Sequence, residues 1–65
     1  MNLMEGLLNE IERNVELIRD YEGIGVAGTF ALGHLREDVR LAKKAINDGD
    51  TIEMMRMYEV LKGKK

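Results

Sequence analysis

Apolar residues recur at steps of three and four along the second half of the chain, and this spacing constrains the fold more than any other feature. The positions are Leu32, Leu35, Val39, Ala42 and Ile46, with Ala31, Leu41 and Ala45 beside them. Such steps place the apolar side chains along one side of an α-helix, in the heptad pattern of helices that pack on other helices. Two heptads are too few for a free-standing coiled coil, so the pattern favours one helix of a bundle, over residues 29–48.

The first part of the chain repeats the same spacing. Its apolar stripe consists of Met4, Leu8, Ile11, Val15 and Ile18, widened on its flanks by Leu7, Leu17 and Tyr21, with acidic residues on the other side. We predict a helix over residues 3–22. Gly6 lowers helix stability by about 1 kcal/mol relative to alanine, so we expect fraying in the first turn. Gly23 stands where a glycine in the left-handed conformation commonly ends a helix.

A third helix is predicted over residues 51–62. Asp50 precedes it as a cap for its free amides, and Glu53 lies three positions later, as in a capping box. The turn after Asn47-Asp48-Gly49 is short, so the second and third helices should be antiparallel neighbours. Apolar residues, including the methionines Met54, Met55 and Met57, leave the third helix few polar positions. We expect a second subunit to cover the side that the chain itself leaves open.

These patterns predict an all-α fold in which residues 1–65 form a single helical domain. Its order is a long helix, a glycine-rich turn, a long helix, a tight turn and a short helix. Folding a chain of this size buries only about 60% of the surface of the unfolded chain. The sequence has no cysteine and one histidine, His34, so neither disulfides nor a transition-metal site is expected to support the fold. We therefore predict a helical homo-oligomer.

The charge distribution excludes some classes of partner. The net charge is −2, and residues 1–22 carry six acids against two bases. A protein that tracks a nucleic acid duplex needs a dense Lys/Arg stripe, so no duplex partner is expected. We see no secretory signal, and no apolar run approaches the roughly 18 residues of a membrane-spanning helix. We expect a cytoplasmic protein with no membrane partner.

The run Gly23–Gly33 lies between the first two helical patterns and carries almost no charge. Its glycines at 23, 25 and 28 match the dinucleotide-binding fingerprint, but that fingerprint needs a preceding strand, and here a helix precedes it. A glycine-rich turn that opens a helix can nevertheless bind phosphate through free amides, or it is a plain flexible connector. Gly33, inside the second helix, indicates a close approach of another backbone, together with Ala27 and Ala31.

Several side chains have both a structural and a binding interpretation. Arg36, Arg40 and Lys43 or Lys44 form a basic stripe that either pairs with acids of the first helix, Glu12 and Glu16, or contacts an anionic ligand. His34 is expected to be a surface or interface histidine, and Tyr21 and Tyr58 interface aromatics. No nucleophile, paired acid and base, or metal set is present in the sequence, so we expect no enzymatic activity, no cofactor and no catalytic residue.

One resemblance adds to this interpretation. It rests on Tyr21-Glu22-Gly23-Ile24, Gly28-Thr29-Phe30, the run from Lys43 to Asp50, Met54 to Tyr58, and Leu61-Lys62. In these motifs, which span about two thirds of the chain, the sequence resembles very short helical proteins encoded by bacteriophages and prophages. Where that group has a proline in the glycine-rich turn, this chain has Gly25-Val26.

The resemblance implies a role in phage anti-defence, in the cytoplasm of the host cell. Phage proteins of similar build act as sponges that sequester immune signalling nucleotides, such as cyclic dinucleotides or cyclic ADP-ribose isomers. Such a role needs amides or arginines for phosphates and an aromatic wall for bases, which a subunit boundary would assemble. The implied ligand-binding residues are Gly28, Thr29, Phe30, Arg36, Arg40 and Tyr58. The alternative is a protein-interaction module, an anti-defence inhibitor or assembly factor, that uses the apolar face of the third helix or the acidic face of the first.

Overall fold

The computed structural model of the chain describes residues 2–25 and 29–64, and for Thr29 the backbone alone. Three helices make up this part of the chain: α1 spans Leu3–Glu22, α2 spans Thr29–Asp48 and α3 spans Thr51–Lys62. Every pair of helices is in contact, and the described residues contain no strand. The expectation of an all-α, three-helix protein is confirmed. Residues 26–28, in the middle of the predicted glycine-rich turn, lie outside the described residues.

The start of α1 is capped by Asn2. The Asn2 side-chain oxygen accepts a hydrogen bond from the Glu5 amide at 2.8 Å, which satisfies one of the amides that a helix leaves free at its first turn. The Gly6 amide donates to the Asn2 carbonyl at 2.9 Å. The first turn of α1 is therefore capped, and the fraying that Gly6 predicts stays a prediction.

The buried side of α1 is rotated from the predicted stripe. Gly6, Leu7, Ile11 and Asn14 are buried. Met4 and Leu8, which the sequence placed in the stripe, keep 39% and 45% of their surface exposed. Asn14 takes a core position because its side chain binds the end of α3, as described below. Hydrophobicity alone could not place a polar residue there.

The core-facing side of α2 follows the predicted seam more closely. Leu35, Val39 and Ala42 are buried as expected, and Ala45 is more deeply buried than Ile46, which packs beside the core. The helix ends in a Schellman motif. Gly49 adopts a left-handed φ of 67°, its amide donates to the Ile46 carbonyl at 3.1 Å, and the Asp50 amide donates to the Ala45 carbonyl at 3.0 Å.

Asp50 also begins α3. Its carboxylate accepts a hydrogen bond from the Glu53 amide at 3.1 Å, so the predicted cap is confirmed. The reciprocal half of the capping box does not form, because the Asp50 amide is already bonded to Ala45 and the Glu53 carboxylate binds Arg56. The buried side chains of α3 are Met54, Met57 and Leu61, which join the core cluster with residues of α1 and α2.

Two glycines differ from their predicted roles. Gly23 has a right-handed φ of −71°, and the left-handed residue after α1 is Gly25, with a φ of 77°. Gly33 is exposed on α2, and a Cβ added to it would meet no atom within 4 Å. Among the described residues, no backbone makes the close approach predicted at Gly33.

Candidate functional site

The outer face of α2, the side turned away from the core, holds three of the six predicted ligand-binding residues. Phe30 stands in the first turn with 87% of its surface exposed. Gly33, Arg36 and Arg40 follow at steps of three and four, and all three are exposed. These steps bring side chains to one side of a helix. An aromatic ring, an unobstructed stretch of backbone and two guanidinium groups therefore share this surface.

Both arginines of the outer face already bind carboxylates. The Arg36 guanidinium donates to the Glu22 carboxylate at 2.9 Å, which ties the start of α2 to the end of α1. Arg40 donates through Nε to the Glu37 carboxylate at 3.0 Å, and a second contact through Nη2 makes the pair bidentate. The hydrogen bond from Arg40, aided by its charge, lowers the pKa of the Glu37 carboxyl below its usual value.

The predicted pairing of the basic stripe with Glu12 and Glu16 is wrong. Glu16 accepts a hydrogen bond from Arg19, three residues further along α1, at 3.0 Å. Lys44 likewise pairs within its own helix, with Asp48 at 2.7 Å. Glu12 and Glu16 are both exposed. A charged side chain reaches a partner one helical turn away without bridging two helices. The spacing of charged residues along one helix therefore predicts such pairs.

The other predicted ligand-binding residues are placed differently. Tyr58 lies on α3, half-buried against the core cluster, and the Lys62 ammonium lies 5.7 Å from the centre of its ring. Among the described residues, no hydrogen bond or ion pair joins Tyr58 to the outer face of α2. Gly28 lies outside the described residues. Thr29 is the first residue of α2, and only its backbone is described.

Arg13 and Asn14 form a polar contact between helices that the sequence analysis missed. Arg13 donates to the carbonyl oxygens of Lys64 at 2.7 Å, Leu61 at 2.5 Å and Lys62 at 3.4 Å. Asn14 is fully buried, and its amide donates to the carbonyls of Glu10 at 2.8 Å and Leu61 at 3.2 Å. We call these two residues the α1–α3 clamp. The sequence feature that could have indicated this contact is an asparagine at helical spacing from the apolar residues Leu7 and Ile11.

Cavities lie elsewhere on the surface. One of about 450 Å³ follows the outer side of α1 beside Ile11, Val15 and the Arg19 side chain, and one of about 280 Å³ lies beside the turn between α2 and α3. A third, of about 110 Å³, is lined by Tyr21, Ala31, His34, Leu35 and Lys64. None of these three is lined by Phe30, Arg36, Arg40 or Tyr58.

Over residues 2–25 and 29–64, no group of three or more histidine, aspartate or glutamate side chains could hold a metal ion. In the same part of the chain, none of the helices combines the length and the apolar character needed to cross a bilayer. No protein-family model, curated protein or solved structure matches this chain. Its function is therefore argued from the outer face of α2 and the surfaces around it.

Proposed function

We propose that this chain is a non-catalytic, homo-oligomeric phage protein that binds and sequesters a nucleotide immune signal of the cyclic dinucleotide or cyclic ADP-ribose type. The observation that carries the proposal is the exposed outer face of α2, with Phe30 in its first turn. Large aromatic side chains are normally covered, and this ring keeps 87% of its surface exposed.

Each part of the outer face suits one part of a nucleotide. The Phe30 ring offers a surface on which a base stacks. Gly33 leaves the space above the backbone open for the ligand. Arg36 and Arg40 carry the planar guanidinium groups that bind phosphate through two hydrogen bonds. Their present pairs with Glu22 and Glu37 are exposed, and exposed pairs add little stability, so a phosphate replaces them at low cost.

An oligomer supplies what one helix face lacks. Ligand sites enclose most of the ligand surface, whereas the outside of a single helix is convex. A second copy of the chain would form the opposite wall, and Tyr58 on α3 is the aromatic that it would bring. Ile52 and Met55, exposed on the same helix by 80% and 56%, favour contact between copies there.

Thermal unfolding with a panel of cyclic dinucleotides and cyclic ADP-ribose isomers tests the proposal. A ligand at about 100 times its Kd stabilises a protein by about 2.7 kcal/mol, which for a domain of this size raises the Tm by on the order of 10 °C. Phe30→Ala and Arg40→Glu should abolish the rise. Arg56→Glu is the matched control, because Arg56 pairs with Glu53 three residues before it on α3, as Arg40 does with Glu37 on α2.

A flat response across the panel would overturn nucleotide binding. Loss of the response in Arg56→Glu as well would assign the effect to overall charge.

The second candidate function is a protein-interaction module. It is favoured by the exposed pair Ile52 and Met55, one helical turn apart on α3. In that case anti-defence activity in infected cells should be lost in Ile52→Asp and retained in Arg40→Glu. The nucleotide proposal predicts its loss in Arg40→Glu.

A further inference from the structure

The inward side of α1 is poor in apolar side chains, although the helix has enough of them. Two of its four buried residues are Gly6, which has no side chain, and the polar Asn14. At the same time Met4 and Leu8 keep 39% and 45% of their surface exposed, and Val15 is half-buried. The helix therefore buries a glycine and an amide while apolar residues of its predicted stripe remain in contact with water.

Asn14 gains little from its buried position. Its amide donates to the Leu61 carbonyl at 3.2 Å, but Arg13 already donates to the same oxygen at 2.5 Å. Its other acceptor, the Glu10 carbonyl at 2.8 Å, is the one that the Asn14 main-chain amide binds in regular helix geometry. The buried Oδ1 of Asn14 has no partner among the described protein atoms. A buried polar atom without a partner lowers stability, so Asn14 destabilises the observed orientation of α1.

A rotation of α1 about its own axis would remove this defect. Successive residues of an α-helix are about 100° apart. A turn of that size moves Asn14 out to water and brings Val15 inward, and in the same way Leu8 takes the place of Leu7. Ile11 lies close to the inward side before and after the turn. The rotated helix therefore buries the apolar stripe that the sequence pattern predicts.

We propose that α1 has two orientations, the observed one and one rotated by about 100°, and that the α1–α3 clamp selects between them. In the observed orientation, Arg13 and Asn14 hold the end of α3. In the rotated orientation these bonds are broken, Met4 and Leu8 are covered, and the end of α3 is released from α1. Gly25 follows α1 at a φ of 77°, and glycine adopts either sign of φ, so the connection accommodates the rotation.

Asn14→Asp at neutral pH tests the two orientations. The carboxylate is close in size to the amide, but in the observed orientation it faces two carbonyl oxygens and the negative end of the α3 dipole. In the rotated orientation it lies in water. The variant should therefore stay folded with α1 rotated. Leu8→Gln should then raise the unfolding equilibrium constant about tenfold more than it does in the unmodified chain, the scale of burying much of a leucine side chain.

Asn9→Asp is the matched control, because it makes the same chemical change at an exposed position of α1. It should leave the effect of Leu8→Gln as it is in the unmodified chain. If Leu8→Gln has the same effect in the Asn14→Asp chain as in the unmodified chain, the proposal is overturned.

Arg13→Ala provides a second background, which removes most of the clamp without adding a charge. It covers the case in which Asn14→Asp does not fold. Here too Leu8→Gln should raise the unfolding equilibrium constant more than in the unmodified chain, and equal effects would overturn the proposal. Urea unfolding of the single and double variants measures all of these constants. No nucleotide enters the experiment, so its outcome is independent of nucleotide binding.

Discussion

Arg13 joins the middle of α1 to the end of α3 through its planar guanidinium group, which carries several N–H donors. The last carbonyl groups of a helix have no partner inside it. The guanidinium group reaches three of the carbonyls from Leu61 to Lys64 at once. Its positive charge also lies at the negative end of the α3 dipole. The neighbouring Asn14 adds a fourth hydrogen bond to this end, although its buried Oδ1 has no partner among the protein atoms.

Replacing Arg13 by alanine should lower the free energy of unfolding by about 1.5–3 kcal/mol, the range for charged hydrogen bonds to partly buried groups. Arg19→Ala is the matched control, because Arg19 pairs with Glu16 as Arg13 pairs with Glu10, but no hydrogen bond or ion pair in the described structure joins it to another helix. It should cost less than about 0.5 kcal/mol. Urea unfolding of the two variants measures the difference, and equal losses would contradict a bridging role for Arg13.

At the scale of the elements, Gly33 inside α2 and Gly49 directly after it have opposite effects on stability. Gly49 ends the helix with a positive φ that L-residues rarely adopt. Gly33 sits inside the same helix with ordinary helical geometry and open space around it. Glycine is therefore required by the backbone at position 49. At position 33 it lowers the stability of the helix.

Alanine substitution should reveal this contrast. Gly33→Ala should raise the free energy of unfolding by about 0.5–1 kcal/mol, because alanine has less backbone freedom to lose. Gly49→Ala should lower it by about 1–2 kcal/mol through strain in the left-handed conformation. Chemical unfolding of both variants under one set of conditions provides the measurement. A loss of stability in Gly33→Ala would instead indicate that another copy of the chain packs against that position.

The elements could be predicted from sequence because their signals are local. Gly49 is the left-handed residue that ends α2, and Asp50 caps the start of α3. The spacing of apolar residues around Val39 indicates the buried side of α2. The orientation of α1 could not be predicted from the same rules. Its apolar residues occupy a wide stripe, and the polar bond from Asn14 to the end of α3 decides which edge turns inward. That bond joins residues 47 positions apart.

At the scale of the whole molecule, several large apolar side chains remain on the surface. Among the described residues, the most exposed of these are Phe30, Ile52, Met55 and Ile24, at 87%, 80%, 56% and 56%. A chain this short has a thin core, and proteins of this size commonly gain stability from disulfides, metals or partner subunits. These surfaces are the basis on which we propose a homo-oligomer.

Sedimentation of the purified protein should give a mass that is a multiple of 7.4 kDa. Ile52→Asp should shift the distribution toward the single chain, because a charge in an apolar contact between copies loses its hydration. Met4→Asp, a similar change at an exposed methionine on α1, should leave the assembly unchanged. A well-folded particle of 7.4 kDa for the unmodified chain would end the oligomer proposal.

The candidate site was less accessible to sequence reasoning than the fold. Helical spacing correctly placed Arg36 and Arg40 together on an exposed side, because spacing within one helix is fixed by its pitch. Arg40 pairs with Glu37, three residues before it, which spacing alone predicts, whereas the pairing of Arg36 with Glu22 on another helix depends on how α1 and α2 pack. The assignment to Glu12 and Glu16 overlooked both partners. The small cavity lined by Tyr21, His34 and Lys64 could not be predicted, since it depends on the different lengths of the helices and on the path of the chain after α3.

Asp50 takes part in the structure of two helices at once: its main-chain amide completes the end of α2, and its carboxylate holds the beginning of α3. Because one residue makes both bonds, we expect loosening of either terminus to weaken the other, so that the two helices open and close together. A ligand that binds α2 alone would then also reduce the fluctuations of α3, without contacting it.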